Sequence, residues 1–137
     1  MKTNLPIFLR TAAFLAVALA AGCDTTEVRH PKTTQVVVFV RDQAVPDVAL
    51  GLVSAVQVVL PGPDAGSGLS WEIISNNNLI LEQMGPLKTT TGATTTTTVS
   101  FYALKPGKSV LRFFLLNPRD QEAVPVAKCE VTVRVRE

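Results

Sequence analysis

The sequence has little of the chemistry that most enzyme active sites require. Its 137 residues include two cysteines and one histidine, His30. His30 precedes the segment that we predict to be folded, so Ser–His and Cys–His catalytic arrangements are excluded within that segment. Clusters of His, Cys and carboxylates with metal-ligand spacing are also absent, and Asp64, Asp120 and Glu122 are typical of solvated loops. We therefore predict that the protein is not an enzyme and uses no cofactor or metal.

The sequence also lacks an apolar run long enough to cross a membrane, which takes about 20 residues. Its N-terminal apolar run, residues 11–22, has about 12 residues and follows the basic residues Lys2 and Arg10, as in a signal peptide. The run ends in Leu19-Ala20-Ala21-Gly22, directly before Cys23. This ending resembles the bacterial lipoprotein signal, although that family usually has Leu three positions before the cysteine, where Ala20 stands here.

The lipoprotein resemblance implies a division of the chain into a signal, an anchor and a domain. Residues 1–22 would be the signal peptide, Cys23 the lipid-attachment site, residues 23–33 the acylated cysteine with its tether, and residues 34–137 the folded domain. The protein would then be exported and anchored to a bacterial membrane in the cell envelope, on the periplasmic or the surface side. Asp24 resembles the residue that retains some lipoproteins in the inner membrane, but the choice between inner and outer membrane stays open. The alternative is an ordinary signal peptide followed by an incidental cysteine.

The chain has no large excess of charge of either sign. Its formal net charge is +2, and Lys2 and Arg10 account for that charge, so residues 23–137 are neutral. Binding to nucleic acid or to an anionic membrane depends on clustered Lys and Arg. No such cluster stands out along the sequence. We therefore predict neither a nucleic-acid partner nor a charged surface for an anionic membrane, and we expect the membrane as a partner through the N-terminal lipid.

What the sequence does contain is an abundance of strand-forming residues. From Gln35 onward, runs of Val, Ile, Thr and Phe are separated by Pro, Gly and Asn, and no segment has the spacing of an amphipathic helix. The predicted strands are Gln35–Val40, Val45–Gly51, Ala55–Leu60, Leu69–Ser75, Leu79–Met84, Thr95–Ala103, Ser109–Leu116 and Val126–Arg136. Short strands at this spacing indicate an all-β fold, an antiparallel β-sandwich.

Three features are better explained by structure than by chemistry. Cys129 lies in a segment where apolar and polar residues alternate, which places it on the buried face of a strand as a small core residue. Trp71, the single Trp, is predicted to fill the core between the sheets. Eight of the ten residues 89–98 are Thr. Because β-branched residues favour strands, we predict a strand from Thr95 and a polar loop over Thr89–Thr94.

The order of these segments resembles the chagasin family of cysteine peptidase inhibitors, which are small immunoglobulin-like proteins. That family has Leu-Pro at the end of a strand, an NPTTG loop, and a Trp shortly after it. Here Leu60-Pro61, residues 64–68 (DAGSG) and Trp71 stand in that order. The family then has a GxGG loop and an Arg-Pro-Trp loop, where this chain has Gly92-Ala93-Thr94-Thr95 and Asn117-Pro118-Arg119. The resemblance covers nearly all of the predicted domain and implies an immunoglobulin-like β-sandwich of about seven or eight strands.

In that family, three loops at one end of the sandwich enter the active-site cleft of a papain-like peptidase and block it. The resemblance therefore implies that the partner-binding residues here are Asp64, Ala65, Gly66, Ser67, Gly68, Gly92, Ala93, Thr94, Asn117, Pro118 and Arg119. Gly68, Gly92 and Pro118 match the family pattern, and Ser67 keeps a hydroxyl where the family has Thr. The Trp of the family's third loop has no counterpart, because Arg119 follows Pro118.

Two functions are compatible with these loops. The resemblance implies a lipid-anchored, monomeric inhibitor whose partner is a papain-like cysteine peptidase. The alternative is an immunoglobulin-like envelope binding or assembly module that kept the scaffold without peptidase inhibition, and the altered loops favour it. An inhibition assay with the purified domain distinguishes the two.

Overall fold

The computed structural model of the chain describes residues 28–41 and 43–137. The predicted signal peptide, the predicted acylation site at Cys23 and the sorting residue Asp24 lie outside the described residues, so these assignments stay predictions. Within the described ranges, no helix is long and apolar enough to cross a membrane.

The described chain folds as two four-stranded sheets packed face to face. The strands are β1 (Thr34–Val38), β2 (Val48–Gly51), β3 (Ala55–Pro61), β4 (Ser70–Ser75), β5 (Leu81–Thr91), β6 (Thr95–Ala103), β7 (Gly107–Leu116) and β8 (Ala127–Arg136). One sheet has the order β1-β3-β6-β5 and the other the order β2-β8-β7-β4. The predicted β-sandwich is confirmed, and each predicted strand corresponds to one of these eight.

Strand direction differs from the prediction in one pair of each sheet. β1 lies parallel to β3, and β2 lies parallel to β8, so both sheets are mixed rather than purely antiparallel. β1 and β2 follow each other along the chain and run in opposite directions, but they belong to different sheets. They therefore do not form an antiparallel hairpin, and each lies beside a strand that runs in its own direction. Alternation of apolar and polar residues sets which face of a strand is buried, and it contains no information about the direction of the neighbouring strand.

The threonine-rich segment is a hairpin, and the predicted loop over Thr89–Thr94 was wrong for its first three residues. β5 passes an irregularity in register between Met84 and Lys88 and continues to Thr91. There Thr89, Thr90 and Thr91 pair with Thr97, Thr96 and Thr95 of β6. Cross-strand Thr–Thr pairs stabilise a sheet, which explains why a run that looked like a polar loop extends the strand.

The core lies between the sheets and is built from the inward positions of the strands. Phe113 is at its centre, with edge-to-face ring contacts to Phe39 and Phe101 at centroid distances of 6.3 and 6.4 Å. Trp71 is 5% exposed and belongs to the same cluster, so its predicted core position is confirmed. Cys129 packs against this cluster from the half-buried start of β8. Among the described residues, the core extends from Val37 to Val135.

Candidate functional site

The three predicted loops lie at the same end of the sandwich. Pro61 pairs with Thr96, so β3 ends where β6 begins and the connections 62–69 and 92–94 are neighbours. Ser70 pairs with Leu116, so β4 begins where β7 ends. The connection 117–126, which links β7 to β8, therefore lies at the same end as the first two loops. We call the end of the sandwich that carries these three connections the loop end. The opposite end, where the connections 52–54, 76–80 and 104–106 lie, is the base.

The root of the first loop is hydrogen-bonded to the strand that follows the second loop. The backbone N–H of Gly62 donates to the carbonyl of Thr95 at 2.9 Å, and the Thr97 hydroxyl donates to the carbonyl of Gly62 at 2.9 Å. Thr97 is 2% exposed, and its oxygen lies 2.9 Å from the Thr89 hydroxyl oxygen. The threonine hairpin therefore supplies one buried hydroxyl, that of Thr97, which holds the root of the first loop.

Trp71 connects the same loop root to the other sheet. Its indole N–H donates to the carbonyl of Pro61 at 3.1 Å, and Trp71 pairs with Leu115 near the start of the third loop. One buried ring thus braces the roots of the first and third loops. This role was missed in the sequence, where Trp71 was expected only to fill volume.

The tip of the first loop, Asp64 to Gly68, is exposed at every residue but has a defined shape. The Ser67 N–H donates to the Asp64 carbonyl at 3.1 Å, and Gly66 has a φ of 77°, which favours glycine. The Ser67 hydroxyl accepts a hydrogen bond from the Leu69 N–H at 3.3 Å. A turn held in this way loses little conformational entropy when it docks.

The second loop is a short connection formed by Gly92, Ala93 and Thr94, all of them exposed. The Gly92 N–H donates to the carbonyl of Thr94 at 3.2 Å. With β5 and β6 paired up to Thr91 and Thr95, only three residues project from the hairpin. The second loop is therefore compact and positioned by the strands beneath it.

The third loop is built from two successive turns. The Asn117 side-chain oxygen accepts from the Arg119 N–H, and the Asp120 carboxylate accepts from the Glu122 N–H, both at 3.0 Å. The predicted contact residues Asn117, Pro118 and Arg119 are exposed. Backbone bonds from Asp120 to Asn117 and from Ala123 to Asp120 complete the two turns.

Sequence reasoning missed the second half of the third loop. Val124 is 82% exposed and Val126 is 68% exposed, and the Val126 N–H donates to the Leu115 carbonyl at 2.7 Å. The sequence around them, Val124-Pro125-Val126, is apolar, and the predicted last strand begins at Val126, whereas β8 begins at Ala127. An apolar run interrupted by proline at a strand boundary was the signal that could have marked an exposed contact surface.

The charges of the loop end are exposed. Asp64 lies in the first loop, and Arg119, Asp120 and Glu122 lie in the two turns of the third loop. Within residues 28–41 and 43–137, no group of three or more His, Cys, Asp or Glu side chains could hold a metal ion. A cleft of about 680 Å³ opens beside the start of β8, lined in part by Phe39, Trp71 and Cys129. Burial raises the pKa of the Cys129 thiol to about 11, so the thiol stays protonated near neutral pH.

The raised pKa makes Cys129 a slow nucleophile, which alkylation can measure. In the Cys23→Ser variant Cys129 is the remaining thiol. Because the thiolate is the reactive form, we expect iodoacetamide at pH 8 to react about 100-fold more slowly with the folded than with the unfolded protein. The rate should still be rising with pH at pH 10. A folded-state rate equal to that of the unfolded chain would contradict the burial of the thiol.

Comparison with known proteins places this geometry in a known fold. No protein-family model and no curated protein sequence matches the chain. Among solved structures, it is similar to the cysteine protease inhibitor EhICP2 from Entamoeba histolytica, with a TM-score of 0.64, 11% identity, and coverage of 78% of this chain and 100% of that chain. It is also similar to PbICP-C, solved in complex with falcipain-2, with a TM-score of 0.50, 12% identity, and coverage of 80% and 93%. The chain has the fold of these proteins, which confirms the predicted chagasin-like sandwich.

Proposed function

We propose that the protein inhibits papain-like cysteine peptidases by inserting the three loops of its loop end into the active-site cleft. One observation carries this proposal: the three loops are held in fixed positions at the same end of a β-sandwich, and that sandwich has the fold of the inhibitors described above. Hydrogen bonds at Gly62, Thr97 and Trp71 hold the loop roots to both sheets. Loops that are already ordered before binding pay only a small entropic penalty, since their conformation does not have to be fixed on docking. The complex of PbICP-C with falcipain-2 supports a cysteine peptidase as the partner class.

The exposed residues of the loops suggest how contact would be made. Ser67 lies in the first loop and Gly92 in the second, and both have small side chains that let the backbone approach the cleft floor. The third loop lacks the aromatic residue of the chagasin family and instead exposes Arg119, Val124 and Val126. Arginine is enriched among the residues that dominate binding energy, and the two valines supply apolar area to bury.

Titration of a papain-like peptidase tests this function. The chain without residues 1–22 and carrying Cys23→Ser should inhibit papain reversibly, with an inhibition constant below about 1 μM, and should not inhibit trypsin. The absence of inhibition at tens of micromolar would contradict the proposal. If the loop end then bound an envelope protein instead, the alternative of a binding or assembly module would be supported.

We further propose that the protein is exported and anchored through a lipid on Cys23. The sequence around Cys23 supports this assignment, and so does the position at which the chain meets the domain. Residues 29–33 contact the base, where the Lys32 N–H donates to the Val53 carbonyl at 2.8 Å and Arg29 lies 3.1 Å from Glu82. A lipid at Cys23 would thus leave the loop end free. Labelling of cells with a radioactive fatty acid should mark the parent protein and not the Cys23→Ser variant.

A further inference from the structure

The base gathers basic residues that are far apart in the sequence. The Lys32 N–H donates to the carbonyl of Val53 at 2.8 Å, and the Leu52 N–H donates to the carbonyl of Arg136 at 3.2 Å. These bonds place Lys32 and Arg136 on either side of one short connection. Lys105 and Lys108 flank Gly107, which pairs with Val135 next to Arg136. All four cations therefore lie at this end, and all four are exposed.

The carboxylates around the base leave these four cations uncompensated. Glu82 pairs with Arg29, and Asp47 pairs with Arg134, each at 3.1 Å. None of Lys32, Lys105, Lys108 and Arg136 has an ion-pair partner among the residues that the structure describes. Glu137 follows Arg136 directly in the sequence. Among the residues that the structure describes, the base thus has an excess of positive charge, whereas the loop end exposes charges of both signs, namely Asp64, Arg119, Asp120 and Glu122.

Apolar side chains are exposed among the cations of the base. Val28 and Leu79 are each 70% exposed, and Val53 is 37% exposed. The Leu104 N–H donates to the Ile80 carbonyl at 2.8 Å, so the connection that contains Leu79 lies beside Lys105. Val53 has a φ of 64°, a left-handed conformation in which a β-branched residue is unusual. The fold thus keeps a partly exposed isopropyl group at a turn where Gly or Asn would be unstrained.

We propose that the base is a membrane-contact surface that binds anionic lipid headgroups. Lys and Arg at a membrane surface are attracted to anionic lipids, and apolar side chains among them enter the boundary between headgroups and acyl chains. The 27 residues that precede the described chain lead into the domain at this same end. Contact through the base would leave the loops, at the opposite end of the sandwich, pointing away from the membrane. This inference goes beyond the proposed inhibition and requires neither a peptidase nor acylation of Cys23.

Vesicle sedimentation with residues 28–137 tests the proposal, because this segment contains all eight described strands and the core cluster between them. Binding should be detected with vesicles containing about one third phosphatidylglycerol, should be absent with phosphatidylcholine alone, and should disappear at high salt. The triple variant Lys32→Gln, Lys105→Gln, Lys108→Gln should bind about 100-fold more weakly. The matched variant Arg41→Gln, Lys88→Gln, Arg119→Gln removes the same charge outside the base and should bind within about threefold of the parent.

A second pair of variants tests the apolar residues without changing the charge. Val53→Asn with Leu79→Asn should weaken vesicle binding, whereas Val124→Asn with Val126→Asn at the loop end should not. Thermal unfolding of each variant checks that the sandwich is intact. Equal losses in the two triple variants, or equal binding to neutral and anionic vesicles, would overturn the proposal whatever the result of the peptidase assay.

Discussion

Replacing Trp71 with alanine is expected to lower the free energy of unfolding by about 3–5 kcal/mol. The ring is 5% exposed and lies in the core cluster, so its removal leaves a cavity that rigid strands on both sides cannot close. The substitution also removes the donor to the Pro61 carbonyl. Chemical denaturation of the parent and of Trp71→Ala measures the difference.

The variant Trp71→Phe separates the hydrogen bond from the packing. Phenylalanine keeps much of the apolar volume but has no N–H group, so the expected loss is smaller, with about 1 kcal/mol from the hydrogen bond. Because Trp71 braces the roots of two loops, both variants should also weaken peptidase inhibition. A Trp71→Ala protein as stable as the parent would contradict the placement of this ring in the core.

Replacing Ser67 with arginine is expected to weaken inhibition of a papain-like peptidase by about 30-fold or more. Ser67 is exposed at the tip of the first loop, where a long charged side chain would have to enter the cleft or force the loop away from it. The free energy of unfolding should change by no more than about 0.5 kcal/mol, because the side chain leaves no packed environment. Inhibition constants and denaturation midpoints, measured on the same preparations, give both quantities.

The matched control for Ser67→Arg is Thr34→Arg. Thr34 is also exposed, but it begins β1 near the base, so the same change in charge and size should leave inhibition unaltered. Equal inhibition by Ser67→Arg and the parent would remove the first loop from the binding surface. A large loss of stability in Ser67→Arg would instead indicate that this loop is packed structure.

The strands and the core were predictable because they depend on local pattern. Alternation of apolar and polar residues along β8 was sufficient to assign Cys129 to the inward face, and the flanking strand and loop residues were sufficient to place Trp71 inside. These features need no knowledge of which strand lies next to which.

The features that escaped prediction depend on which strands are neighbours. Pairing of Thr89 with Thr97 turns a polar run into a strand, and the run alone does not specify a partner. The cluster of cations at the base was even harder to predict, because Lys32 and Arg136 lie at opposite ends of the described segment in the sequence. No inspection of charge along the sequence places them together. The exposed valines of the third loop were likewise hidden, because an apolar residue near a strand is usually buried.

The chain enters the sandwich at Thr34 and leaves it at Arg136, and both residues lie toward the base. Domains with their two ends close together tolerate insertion into a surface loop of another protein. Residues 28–137 are therefore suited to grafting into a carrier, or to fusion at either end of this segment, without obstruction of the three loops. The same arrangement allows tandem copies on one chain, each with its loops available to a separate peptidase molecule.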